Sequence, residues 1–385
     1  MSSSGSDIRK GIEQNWHEYL SKYANLFSSN EIHGSSPPSV FVGSYGYPKV
    51  GIGPMLPPIH GDTSLLDAPE RWLGKSLEEI VNYRLNLVRG IQKTGIEETS
   101  GRFIESLHEL AMSSGTIDSE IKFLKNPAPL PSIDGQNAPF GPIGEIKSAK
   151  FSPNSSIKPI ENAYYDTDLK SEDAVMKLYN SGIEISKIQK CFSIGMFGKN
   201  RKLVPTKWSI TATDQIISNN LMHDILEFDI IDRYNIFHFD HLGNLFSIVL
   251  FPHRWLFEMQ EAWHDKNSIG FGSDHETAKC INYSPSIAGA YFAGKLAVTE
   301  YLQKIKKQSG VMIFREIQPE YAVPVGVWQV REGIREAMKK HPQEANSLNE
   351  AIDLATKRMS ISKNEWLVHG NMLKLVEQTS MSDFF

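Results

Sequence analysis

Cysteine is almost absent from this 385-residue chain. Cys191 and Cys280 stand far apart and outside any CxxC pair, so neither a disulfide framework nor a cysteine zinc site can be built from them, and a reducing cytoplasm is the expected compartment. Long apolar runs are missing too. The longest, near Leu245 to Phe251, is strand-sized and contains a serine, and the polar first ten residues hold no apolar signal core. The chain therefore reads as neither secreted nor membrane-spanning. Nor is there an excess of positive charge: 40 Lys and Arg against 45 Asp and Glu leave a formal charge of −5. That balance excludes a protein that coats DNA by charge alone and confines any nucleic-acid contact to a local patch. Short catalytic signatures such as GxSxG, HExxH or a P-loop are also lacking.

What is present is enough apolar material for a large core, with 40% hydrophobic residues and seven Trp, in one large or two ordinary domains. The pattern predicts a mixed α+β protein, a large irregular α/β body followed by a helix-rich carboxyl-terminal part. Apolar residues at helical spacing predict an amino-terminal helix over 8–27, closed by the joint Gly34-Ser-Ser-Pro-Pro-Ser39. A short strand at 40–42 follows. Ser76-Leu-Glu-Glu79 opens a helix to about Val88 with a capping box, another helix runs over 102–112, and a third covers 173–180. The Pro- and Gly-rich text from Pro127 to Pro159 reads as one long irregular connection. Two strands turning at Leu242-Gly243-Asn244 are expected within 228–251. Ser284-Pro-Ser opens a small-residue-rich helix to about Gln308, taken as the core helix of the carboxyl part. Strands at 311–316 and 323–330 and helices at 333–340, 348–359 and 363–376 complete the chain, and no repeat period is evident.

Three stretches carry candidate chemistry. After the strand at 40–42, Gly43, Gly46, Gly51 and Gly53 could let backbone amides approach a phosphate, with Ser44, Tyr45 and Lys49 adding polar contacts; the alternative is an irregular buried turn between strands. The second stretch concentrates Lys199, Arg201, Lys202 and Lys207 with no acid among them, followed at once by Trp208, Ser209, Thr211, Thr213 and Asp214. Cations interleaved with an aromatic and hydroxyls suit phosphates and stacked bases; the plain alternative is a hairpin tip with solvated lysines. Lys207 and Asp214 are the catalytic candidates if this segment and the glycine loop line one pocket. Third, His238, Asp240 and His241 are weak metal-ligand candidates without a compact motif. No cofactor is predicted, although a nucleotide or a divalent metal would fit these groups.

The last stretch is Gln378-Thr-Ser-Met381-Ser-Asp-Phe384-Phe385. Met381, Phe384 and Phe385 fall on one face of a single helical turn, and Gln378 adds an amide that donates and accepts, a combination suited to a pocket on another protein. The spacing resembles the PIP box, the peptide by which replication and repair proteins dock on the sliding clamp PCNA. In order along the chain, Phe41-Val-Gly, Tyr47-Pro, Gly53-Pro, Val204-Pro-Thr-Lys-Trp-Ser-Ile-Thr-Ala-Thr-Asp214 and Gly326-Val-Trp-Gln-Val-Arg331 resemble the archaeal Nre family of DNA repair proteins. The resemblance implies an amino-terminal region over 36–270 behind a helical arm at 1–35, a carboxyl-terminal region over 271–376, and a PIP-box tail at 377–385 resting on Gln378, Met381, Phe384 and Phe385. It implies a role in DNA repair at the clamp, and with it a cytoplasmic, nucleoid-associated location. Two isolated cysteines cannot form the four-cysteine zinc motif of the NreA branch, so the chain looks like the NreB type. Two readings follow: a clamp-recruited factor that touches DNA with its basic and aromatic segment, or a nucleotide- or phosphodiester-processing enzyme. A metabolic enzyme with an accidental tail match is the third.

Overall fold

The computed structural model describes residues 29–128, 140–264, 268–278 and 286–376. The expected helix over 8–27 and the tail at 377–385 lie outside them. The described chain is mixed α+β and divides into two compact units, one ending at Ile217 and also holding Val323–Gly326, the other formed by Ser218–Ala322 and the residues from Val327 on.

The amino-terminal unit is built on a six-stranded sheet of order β1-β5-β6-β4-β3-β2. Its strands are β1 (Glu31–Ser36), β2 (Val40–Val42), β3 (Lys49–Leu56), β4 (Val88–Gly95), β5 (Ile117–Phe123) and β6 (Ile143–Phe151). Only the β4–β6 pair among them is parallel. The capping box forms as expected: Ser76 Oγ accepts from Glu79 N and the Glu79 carboxylate from Ser76 N, opening α1 (Leu77–Leu85). The helix ends earlier than expected because the chain leaves it at Asn86 and enters β4 at Val88. Helix α2 (Arg102–Met112) has the expected bounds, as does the core of α4 (Ser171–Asn180). The Pro127–Pro159 text is not one irregular connection, since β6 and the start of α3 (Lys158–Tyr165) lie in it. Helix α5 (Ile185–Ser193) and the first part of α6 (Thr206–Ile225) complete this unit.

The glycines of β3 turn out to serve strand packing. A Cβ on Gly53 would stand 2.0 Å from the Gly90 carbonyl oxygen of β4, and one on Gly51 would stand 2.5 Å from the Ile91 side chain. Backbone cannot yield as a side-chain tip can. Gly53→Ala is therefore expected to destabilise by about 2 kcal/mol, within the range for overpacked sites, and a denaturant midpoint unchanged from wild type would remove this account.

The second unit is a three-layer arrangement around a sheet of order β10-β9-β11-β8-β7-β12. It contains β7 (Tyr234–His241), β8 (Asn244–Phe251), β9 (Leu256–His264), β10 (Ile269–Thr277), β11 (Gly310–Ile317) and β12 (Gln343–Ala345). The hairpin turn falls at the expected residues, with Leu242 and Gly243 at φ 49° and 69°, the left-handed geometry of a tight two-residue turn. On β11, Val311 and Ile313 join the core under α7 (Ala288–Ile305) and α8 (Trp328–Met338). Met312 and Phe314 join the opposite core under α9 (Leu348–Thr356) and α10 (Lys363–His369). Both faces are covered, which is why this strand reads as a continuous apolar run. Small residues let α7 lie close, for a Cβ on Gly294 would already be 3.0 Å from Met259 Sδ. The strand expected at 323–330 does not form. Alternating valines imitate one, but Pro324 has no N–H to give, Gly326 takes φ +107°, and α8 begins at Trp328.

Candidate nucleic-acid interface

The β2–β3 hairpin brings one group of sequence candidates to the surface. Gly43 N donates to Gly51 O (2.8 Å) and Lys49 N to Gly46 O (2.9 Å), so the chain reverses tightly at Gly46, which takes φ +81°. The segment is therefore neither an amide cradle nor a buried turn. It is a projecting tip with Tyr45 92% and Tyr47 51% exposed, Lys49 exposed and Ser44 half-buried.

The second group arrives beside it. Val42 N donates to Thr206 Oγ1 (3.0 Å), which fastens the root of the hairpin to the first turn of α6. Ile96 N donates to Pro48 O (3.0 Å) and Leu203 N to Ile96 O (2.8 Å), so hairpin, end of β4 and the 195–205 loop form one continuous backbone network. Trp208, 45% exposed, meets the Tyr47 ring edge-on at 5.2 Å, and the Lys207 ammonium stands 6.0 Å from the Trp208 ring. Two aromatics that the sequence separates by more than a hundred residues thus make one open platform, with Tyr45 exposed in the hairpin loop and Lys49, Lys199 and Lys207 exposed in the same segments.

The remaining candidates have other roles. Arg201 turns inward, stacking on Tyr164 at 4.9 Å and donating to its carbonyl. Lys202 pairs with Glu97 at 2.8 Å, and that hydrogen bond raises its pKa. The hairpin-tip alternative for 199–214 is not what forms, because α6 carries Trp208 onward. Asp214 is fully buried and accepts from Gln189 Nε2 at 3.1 Å, while Lys207 is exposed, so the two catalytic candidates share no pocket.

A separate cavity of about 270 Å³, lined in part by Asp67, Arg71, Ser113, Lys187 and Lys190, contains none of the residues singled out from sequence. Its cations are engaged. Lys190 pairs with Asp67 at 2.8 Å, Arg71 with Glu184 at 3.3 Å, and Lys187 donates to Ser113 O at 2.8 Å, capping the carbonyl end of α2. Burial pushes the Lys187 ammonium down to about 8.

The metal candidates are spread over two faces of β7. His238 Nδ1 bonds Ser247 Oγ at 2.9 Å, Asp240 pairs with Arg358, and His241 stands edge-on to Trp328 at 6.4 Å. No group of three His, Cys, Asp or Glu side chains able to hold a metal occurs among the described residues. Ser360, His264 and Glu316 have the composition of a hydrolase triad but not its geometry. Glu316 Oε1 (2.7 Å) and Ser360 Oγ (3.3 Å) meet the same nitrogen, His264 Nε2, so the imidazole cannot take a proton from the serine while the carboxylate holds its other side. No helix of the described residues is long and apolar enough to cross a membrane.

Residues 10–269 match the family model for the amino-terminal region of archaeal Nre, and residues 276–384 match that for its carboxyl-terminal region. The border between the two falls within β10, inside one sheet, whereas the compact units divide after Ile217. Among curated proteins, the chain is 35% identical over 361 residues to DNA repair protein NreB of Archaeoglobus fulgidus, covering 92% of each chain. It is 34% identical over 362 residues to DNA repair protein NreA of the same organism, covering 91% of this chain and 89% of that one. With DNA repair protein NreA of Haloferax volcanii it shares 28% identity over 372 residues, covering 91% and 89%. No solved structure gives a significant match. The near-equal identities to NreB and NreA do not choose between the branches, but the two family regions together take in almost the whole sequence, and the chain belongs to the archaeal Nre family.

Proposed function

We propose that this chain is a DNA repair factor that grips unpaired DNA on the Tyr45, Tyr47 and Trp208 platform and reaches its sites of action through the sliding clamp, using the Gln378–Phe385 peptide. The observation that carries the DNA reading is the open aromatic pair, Tyr47 against Trp208, with three exposed lysines in the segments that build it. Bases stack on exposed aromatic faces without regard to sequence, and lysines beside them neutralise the backbone. An open face suits unpaired strands because a duplex hides its base faces. The relatives' names, DNA repair proteins all, support the same direction. The chain's acidic balance fits a contact that is local rather than global.

Fluorescence anisotropy with a labelled single-stranded oligonucleotide at low salt tests it. Stacking is worth about 1–3 kcal/mol per base, so Tyr45→Ala with Trp208→Ala is expected to weaken binding by roughly 10- to 100-fold or more. Replacing Lys49, Lys199 and Lys207 by alanine is expected to flatten the salt dependence by about 2 in logarithmic slope, from roughly 0.7 per phosphate contact. Arg201 is left in place because its loss would disturb Tyr164. Undiminished affinity in the Tyr45→Ala, Trp208→Ala variant, or no single-strand binding by the parent, ends the reading.

A further inference from the structure

Arg84, at the end of α1, and Arg89, in β4, are inward cations of the amino-terminal unit that meet aromatic rings. The Arg84 guanidinium carbon stands 5.0 Å from the Trp72 ring centroid and 5.6 Å from that of Phe140. That of Arg89 stands 5.0 Å from Phe41 and 4.4 Å from the same Phe140 ring. Arg89 is only 7% exposed and Arg84 is half-buried, and the Nε of each arginine is cut off from water with no hydrogen-bond partner among the described residues. The acid that acts on Arg84, Asp67, is already committed to Lys190 at 2.8 Å and accepts from Ser39.

This arrangement is costly as it stands. A guanidinium taken out of water needs a counter-charge and acceptors for its five N–H groups. Ring faces return some of the electrostatic loss but accept none of the N–H bonds in the guanidinium plane. A second like charge beside the same ring adds repulsion. Burial, and then Arg84, push Arg89 down to about 10, which leaves it a cation at neutral pH, and burial pushes Arg84 down, against the pull of Asp67. Buried polar atoms without partners are rare in folded proteins, and a bound anion would offer each guanidinium an acceptor and give Arg89 a counter-charge, since no acid acts on it.

We propose that Arg84 and Arg89 form a binding site for a phosphate group, each guanidinium fork taking phosphate oxygens, with Phe41, Trp72 and Phe140 as its apolar walls. A carboxylate offers two oxygens and one charge, enough for one fork; a phosphate offers more oxygens and up to two charges, enough for both. Its source is either free phosphate or the phosphorylated end of a nucleic-acid strand. The site stands independently of the aromatic platform, since inorganic phosphate can bind here whether or not DNA binds there.

Melting curves of the full-length protein in inorganic phosphate and in chloride of equal ionic strength, near neutral pH, decide the matter. Wild type is expected to gain roughly 5–10 °C at a hundredfold excess of phosphate over Kd. Arg84→Gln and Arg89→Gln are expected to lose that gain, and Arg89→Lys, a point charge without the fork, to keep only part of it. In chloride, Arg89→Gln is expected to melt at or above wild type, because an uncompensated buried charge has gone. No phosphate-specific rise in wild type, an equal rise in Arg89→Gln, or Arg89→Gln melting well below wild type in chloride each overturns the site; the last would make the arginines packing elements. A 5′-phosphorylated oligonucleotide and its unphosphorylated twin then separate the sources. A larger rise with the phosphorylated strand that Arg89→Gln lacks assigns the strand end, and equal shifts assign free phosphate.

Discussion

Glu276→Leu is expected to lower the stability of the carboxyl-terminal unit by about 3–5 kcal/mol, the scale for breaking a buried ion pair from one side. Both partners are sealed: Lys295 is wholly buried and Glu276 nearly so. The Lys295 ammonium lies 2.8 Å from Glu276 Oε1 and 3.0 Å from Oε2, and it also donates to Asn219 Oδ1 at 2.9 Å. Tyr291 OH and Trp255 Nε1 donate to the same carboxylate, each at 2.9 Å. Removing the carboxylate therefore takes the acceptor from the tyrosine and the indole and leaves the ammonium with Asn219 but no counter-charge. Lys295→Met should cost less, because the tyrosine and the indole still hold the carboxylate that remains. The double variant Glu276→Leu with Lys295→Met should be more stable than Glu276→Leu alone, since no charge is left without a partner. Urea denaturation of the three variants measures this, and Glu276→Leu within about 0.5 kcal/mol of wild type, inside the range of ordinary surface changes, would show that the network carries no stability.

That network also marks the limit of what local sequence can reveal. The signals that succeed are local: the Ser76–Glu79 box, the Leu242-Gly243 turn, the apolar run of β11. Strand β9 escapes them because Glu258, Gln260 and Glu261 interrupt its hydropathy although all three are buried. Their partners lie far along the chain: Glu258 accepts from Asn371 N and Met372 N, and Glu261 pairs with Arg315. No window of residues contains those pairings. Strand β5 is a different matter, for Ile117-Asp-Ser-Glu-Ile-Lys-Phe123 buries every second residue and its period is plain in the sequence.

The candidate interface is half legible. Residue types point to nucleic acid at both the hairpin and the 199–208 run, but what joins them is a hydrogen bond between residues 164 positions apart. Arg201 looks like its neighbours until Tyr164 is seen beneath it. The glycines mislead for a physical reason: a position that admits no Cβ is needed by a close ligand and by a close strand alike, and at Gly53 the neighbour is the carbonyl of Gly90. Arg84 and Arg89 carry no sequence signal at all, because lone arginines in a helix and a strand are ordinarily solvated. Only an Nε sealed from water without a partner makes them informative.

Deleting Gln378–Phe385 is expected to abolish binding to the sliding clamp while moving Tm by less than about 1 °C. Those residues lie outside the described structure, but the chain that leads into them is firmly held. Trp366 and Met372 are buried in the outer core of the second unit, and the Glu258 carboxylate takes Asn371 N at 2.6 Å and Met372 N at 3.0 Å. The globule is thus anchored several residues before the cut, so the deletion removes none of its described contacts. Met381, Phe384 and Phe385 would each return about 1.5–3 kcal/mol on burial in a partner's pocket, offset by the ordering of a short segment. A dissociation constant near micromolar, about −8 kcal/mol, is the tightest binding expected of it. Phe384→Ala with Phe385→Ala should then weaken binding by at least about 100-fold, since two buried phenylalanines supply more than about 2.7 kcal/mol between them. Calorimetry of intact, truncated and doubly substituted protein against the clamp gives all three affinities. Equal affinity for intact and truncated protein would mean that the peptide tethers nothing, and a Tm fall of several degrees on truncation would mean that its phenylalanines are spent on the chain's own fold.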